Sequence, residues 1–179
     1  MSAVRSLLIL ASLAALGAGS AAAQEKPPLA AAPAPAAAGP NWVSSQGGAI
    51  PPGAFQAGYE SAGFLYLCRA NTQGGLVPGK VRPGFDGCFV PVDGREVSVP
   101  QYEVAGGPNR WVFARDGNVP PEAVEVGRTR AGQPLYACRS AGAAGQLVPG
   151  KTGAGLRGCN IGVGGVEQTQ PFYHVLVRP

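Results

Sequence analysis

Charge is scarce in this chain. Asp, Glu, Lys and Arg make up 13% of its 179 residues, against about 25% in an ordinary soluble domain, and the formal net charge is only +4. So slight a balance, with no run of basic residues, excludes the basic face of a nucleic-acid binder and the basic amphipathic helix of a membrane-surface protein. Histidine is nearly absent: His174 stands alone, in a strand-like segment near the C-terminus. No Gly-x-Ser-x-Gly elbow, HExxH pair or phosphate-cradling glycine loop opening a helix occurs. The acids Glu60, Asp86, Asp93, Glu96, Glu103, Asp116, Glu122, Glu125 and Glu167 are scattered, and few recur at matching positions. The sequence therefore reads as a non-enzyme, with no catalytic residue, metal site or cofactor.

Long apolar runs are missing too. A membrane-spanning helix needs about 20 apolar residues, and Leu7 to Leu16 is too short. With Arg5 before it and Ala21-Ala22-Ala23 after it, that run reads as a cleavable signal peptide over residues 1–23. Residues 24–40 are almost all Ala and Pro, a composition that builds no core and suits an extended tether. The expected product is periplasmic or secreted, with one domain over residues 41–179.

Within that domain the abundant residues are glycine and proline, 28 and 18 in the whole chain. They recur in pattern. Leu76-Val77-Pro78-Gly79-Lys80 returns as Leu147-Val148-Pro149-Gly150-Lys151, 71 residues on. Trp42-Val43 and Pro51-Pro52 return as Trp111-Val112 and Pro120-Pro121. Tyr66, Cys68 and Arg69 return as Tyr136, Cys138 and Arg139, and Gly87-Cys88 and Tyr102 as Gly158-Cys159 and Tyr173. Two copies of such long period make a two-lobed domain with internal pseudo-symmetry, not a solenoid, with repeats at 41–107 and 110–179.

Between the turn residues lie short runs rich in Val, Leu, Tyr and Phe, and no segment has helical periodicity. The fold class is all-β, built from short antiparallel strands. In Phe64 to Arg69, alternation places Tyr66 and Cys68 on one face and Leu67 and Arg69 on the other. Pro-Gly within LVPGK reads as a type II turn, a rigid corner that sends Lys80 and Lys151 off on a fixed heading. Trp42 and Trp111 read as core anchors, and Arg69 and Arg139 as either ligand contacts or partners of an acid. Four cysteines in an exported chain read as two disulfides. Each copy carries one before LVPGK and one after, which favours Cys68 with Cys88 and Cys138 with Cys159 over a pairing across the copies.

The segments Trp42-Val43, Ile50 to Ala54, Gly58-Tyr59-Glu60, Leu65 to Ala70, Gly75 to Val81, Gly87 to Pro91 and Tyr102 to Val104 together resemble the DM-nine repeat family, found in invertebrate mannose-binding lectins and in natterin-like proteins. The resemblance implies two interlocked repeats, binding of mannose-type glycans and often homodimers. It also implies that sugar is held by the lysine of Pro-Gly-Lys and an acid after Gly-Tyr, here Lys80 and Glu60; Tyr59 is a lesser candidate. An ammonium supplies only donors and a carboxylate only acceptors, so such a pair satisfies two neighbouring sugar hydroxyls. In the second copy the triplet reads Gly127-Arg128-Thr129, which leaves Lys151 without that carboxylate. The family's Gly-Lys-Glu-His segment reads Gly94-Arg95-Glu96-Val97 and Gly165-Val166-Glu167-Gln168. The expected ligand contacts are thus Glu60, Lys80, Arg69, Lys151 and Arg139. A structural or protein-interaction domain that has lost sugar binding is the alternative.

Overall fold

The computed structural model describes residues 39–179 apart from Ala154; the proposed signal peptide and nearly all of the tether lie outside the described residues. The first repeat forms seven strands: β1 (Asn41–Gln46), β2 (Gln56–Glu60), β3 (Gly63–Thr72), β4 (Gly75–Val81), β5 (Cys88–Val92), β6 (Arg95–Val99) and β7 (Gln101–Gly106). The second forms their counterparts: β8 (Arg110–Arg115), β9 (Glu125–Thr129), β10 (Pro134–Ala141), β11 (Leu147–Gly153), β12 (Cys159–Val163), β13 (Val166–Gln170) and β14 (Phe172–Val177). One 3-10 turn, Ala143–Gly145, is the only helical element among the described residues.

Strands β2, β3, β4, β9, β10 and β11 close into a ring, three from each repeat, with every pairing antiparallel. The joints between repeats are β2 with β11, at Leu147 and Tyr59, and β4 with β9, at Leu76 and Arg128. Outside the ring, β1 and β7 extend β3 while β8 and β14 extend β10. The hairpins β5–β6 and β12–β13 extend β4 and β11 and meet each other at Arg95 and Val166.

The interior shows how the repeats interlock. Ala57, Leu67 and Ala105 share one buried cluster with their counterparts Val126, Ala137 and Leu176, flanked by Trp42 and Trp111. Leu65 packs into the second repeat's cluster around Cys138 and Ile161, and Leu135 into the first repeat's around Cys68 and Val90. Neither repeat completes its core alone, so folding buries apolar surface from both at once.

The Pro-Gly pairs differ from the turn that local chemistry suggests. Both lie inside strands, β4 and β11, and neither Gly79 nor Gly150 takes a positive φ. The glycines serve close approach instead. A Cβ on Gly79 would lie 2.1 Å from the Phe89 carbonyl oxygen, and one on Gly150 2.1 Å from that of Asn160, so a side chain there would push the neighbouring strand away. Pro78 falls where the outer edge of β4 passes from β9 to β5, a gap in which a residue without an N–H leaves no ladder donor unpaired. Lysine leaves a strand, not a corner.

Cys68 is bonded to Cys88 and Cys138 to Cys159, each within its own repeat and closing loops of 20 and 21 residues. Loops of that length correspond to about 3 kcal/mol of stabilisation per bridge on the chain-entropy account. Replacing one cysteine pair by Ala, and then both, is therefore expected to lower the urea midpoint in two steps. A midpoint unmoved by either pair would contradict this.

Candidate functional site

Each LVPGK lysine sits on a strand flanked by the hairpin that follows it, and the two hairpins exchange contacts. Lys80 Nζ lies 3.0 Å from Glu96 Oε1, with side-chain exposures of only 7% and 6%. The contact is ionic, since Oε1 accepts no aligned hydrogen bond; the ammonium instead donates to the Gly162 carbonyl at 2.8 Å. Lys151 Nζ lies 3.1 Å from Glu167 Oε1. The other carboxylate oxygens reach across the pseudo-twofold. Glu96 Oε2 accepts the Gly165 N–H at 3.0 Å, and Glu167 Oε2 the Gly94 N–H at 2.8 Å. Each acid thus fixes its own repeat's lysine and the opposite repeat's turn.

This arrangement corrects two expectations. The carboxylate joined to Lys80 is Glu96, while Glu60 is joined to Arg82 Nε. Lys151 does have an acid, Glu167. Both partners stand 71 residues apart in the sequence, the same offset as the LVPGK copies; that coincidence was the signal available for finding them.

The surroundings of the two lysines differ. Beside Lys151 is a cavity of about 460 Å³, its rim carrying Thr129, Arg130, Gln133 and Asp93, with Leu156 as an apolar wall. Among the described residues Glu167 is the one polar partner of the Lys151 ammonium. At the positions of Gly153, Thr129 and Leu156 the first repeat has Arg82, Glu60 and Phe85. These three are joined: Arg82 Nε donates to Glu60 Oε1, and the guanidinium lies 4.2 Å from the Phe85 ring centroid. An ion pair under an aromatic ring thus stands at the first repeat's counterpart of the open cleft.

Burial alone would push the Glu167 carboxyl up, but hydrogen bonds from Asn160 and the Gly94 amide, together with Lys151, hold it below its ordinary value of 4.5. A depressed folded-state value means that stability is fully present above the ordinary carboxylate range and is lost as pH falls through the lower folded value. Wild type is therefore expected to lose more stability than Glu167→Gln between about pH 5 and pH 2 in acid titration followed by urea unfolding. Parallel curves would contradict that.

The two arginines serve different settings. Arg69 Nε donates to Glu103 at 2.7 Å and Nη1 to the Val126 carbonyl at 3.1 Å, with the guanidinium 4.0 Å from the Trp42 ring centroid. Arg139 stacks on Trp111 at 4.6 Å and donates to the Ala57 carbonyl at 3.3 Å, but faces His174 where Arg69 faces Glu103. Tyr59 is 49% exposed, and Trp42 and Trp111 are half-buried against the shared core. The described residues contain no cluster of His, Cys, Asp and Glu that could hold a metal ion, and no helix long and apolar enough to cross a membrane.

No curated protein matches the sequence. The family model of the DM9 repeat matches residues 35–99 and 64–170, a span covering most of the chain and both lysine sites. With its two interlocked seven-strand halves, the chain belongs to the DM9 repeat family.

Proposed function

We propose that this protein is an exported carbohydrate-binding module for mannose-type or related surface glycans, and that its open site is the cleft at Lys151. The observation that carries the reading is the Lys151–Glu167 pair beside a polar-rimmed cavity of about 460 Å³, within the range of small-ligand pockets. The ammonium has donors to spare, because it carries three N–H groups and Glu167, itself anchored by Asn160 and Gly94, is its one polar partner among the described residues. Sugar hydroxyls accept from Lys151 and exchange bonds with Thr129 and Gln133. Water competes for each of these bonds, so a single sugar binds weakly and useful affinity comes from several sites on one glycan.

Lys80 and Glu60 form the second candidate locus, closed by Arg82. Arg69 is committed to Glu103, and its role is to tie β3 to β7. The buried Lys80–Glu96 pair supports a structural role for that lysine, which is the non-binding reading of the first repeat.

Two disulfides fit an oxidising compartment and agree with export. A glycan array followed by calorimetry tests the proposal. Lys151→Ala is expected to lower affinity for the best glycan at least about tenfold, the loss of one charge-assisted hydrogen bond. Retained binding would move the site elsewhere.

A further inference from the structure

The face of β8, β14 and β10 that carries Trp111, Leu176 and Ala137 into the shared core also carries, further along, an arginine that has lost its acid. In the first repeat the cross-strand row is Arg69, Glu103, Ser44; in the second, the same register gives Arg139, His174, Phe113. One step along, the pair Gln101 and Gln46 is replaced by Phe172 and Arg115. A polar groove of about 490 Å³ with a closed ion pair has thus become an aromatic face with an open cation. Among the described residues Arg139 makes no ion pair, and its Nε is buried with no hydrogen-bond partner. Phe113 and Phe172, diagonal neighbours across β8 and β14, are 58% and 60% exposed. The His174 ring meets Phe113 edge-on at 5.9 Å. Tyr59 lies near Arg139, and Arg115, opposite Phe172, sits beside Asp116 at 3.7 Å, both well exposed.

We infer that this face is a second ligand site, which takes a carboxylate on the accessible end of the Arg139 guanidinium, in the role Glu103 plays for Arg69, carried by a uronic-acid-type saccharide whose C–H face stacks on Phe113 and Phe172. The first repeat supplies the geometry: a carboxylate meets that guanidinium at 2.7 Å while the same arginine stacks on tryptophan. A carboxylate delivered by a ligand gives the Arg139 guanidinium the acid that it lacks among the described residues. Exposed aromatic rings offer the flat apolar surface that a sugar ring covers. The carboxylate specificity rests on Arg139 alone; the choice of a saccharide as its carrier rests on the carbohydrate reading above.

His174 is the chain's only histidine, so its imidazole resonances report on this face without ambiguity. Trigalacturonate is expected to shift them saturably while mannotriose does not, and Lys151→Ala is expected to leave that response intact. Arg139→Gln is expected to weaken trigalacturonate at least tenfold. His174→Glu, which rebuilds the first repeat's own pair and so keeps Arg139 fully bonded, is expected to block it to the same extent in a chain that stays folded. No saturable shift with trigalacturonate, an equal response to mannotriose, or binding that survives His174→Glu overturns the inference. Trigalacturonate binding lost in Lys151→Ala also overturns it, because the acid would then occupy the other cleft. Mannotriose held at Lys151 with no acid response at His174 sinks this inference and leaves the proposed function standing; silence toward both sugars sinks both.

Discussion

Lys80→Met is expected to destabilise the domain by about 3–5 kcal/mol, the cost of leaving one member of a buried ion pair without its partner. Glu96 is 6% exposed in its side chain and would keep only the Gly165 N–H. Water reaches it too poorly to replace an ammonium 3.0 Å away. The double variant K80M/E96M removes both charges and is expected to recover most of the loss, since an apolar pair of similar volume does as well as a buried ion pair in such settings. Urea unfolding of the two single variants and the double closes the cycle. Single variants that lose less than about 1 kcal/mol, as exposed pairs do, would show that the clasp is peripheral to stability.

Opening the first repeat should create binding where there is little. Arg82→Gly copies Gly153 of the second repeat and removes the side chain that holds Glu60 and covers Phe85. The expected calorimetric stoichiometry rises from one sugar per chain to two, with Glu60 freed to accept a hydroxyl beside Lys80. Adding Glu60→Thr, which completes the likeness to Thr129, is expected to weaken the new site if the carboxylate contacts sugar. A stoichiometry that stays at one in Arg82→Gly would mean that Arg82 is not what closes the first repeat.

Much of this architecture is legible in the sequence because duplication makes each reading twice. Strand alternation at Tyr66 to Arg69 and the absence of helical periodicity follow from side-chain period alone. The cysteine arrangement is read the same way, since each pair brackets one LVPGK. The Pro-Gly step is where local chemistry misleads. Glycine there is required by the Phe89 and Asn160 carbonyls, which come from strands later in the chain, and no local rule detects a close approach of that kind. The acids of the lysine pairs escape for a related reason. Glu60 is the nearer candidate in the resemblance, whereas Glu96 and Glu167 reach the lysines only because the β5–β6 and β12–β13 hairpins fold back onto β4 and β11. Their equal spacing from the lysines, 16 residues in both repeats, marks them once the hairpins are known.

The asymmetry between repeats is also written in substitutions whose meaning needs the fold. Glu103 against His174, Arg82 against Gly153 and Glu60 against Thr129 read as ordinary divergence along the chain. In three dimensions they change an ion pair into an open cation on one face and a filled cleft into an empty one on another.

Titrating wild type and Lys151→Ala with the best glycan from the array, each variant first shown to melt cooperatively, tests the central claim most directly. Glu167 keeps its bonds to Asn160 and Gly94 in the variant, two where Glu96 would keep one, which offsets part of the loss of its lysine. The account predicts one sugar site per chain in the wild type and affinity at least about tenfold weaker in Lys151→Ala; equal affinity in both proteins, or a wild type that binds no glycan at all, would contradict it.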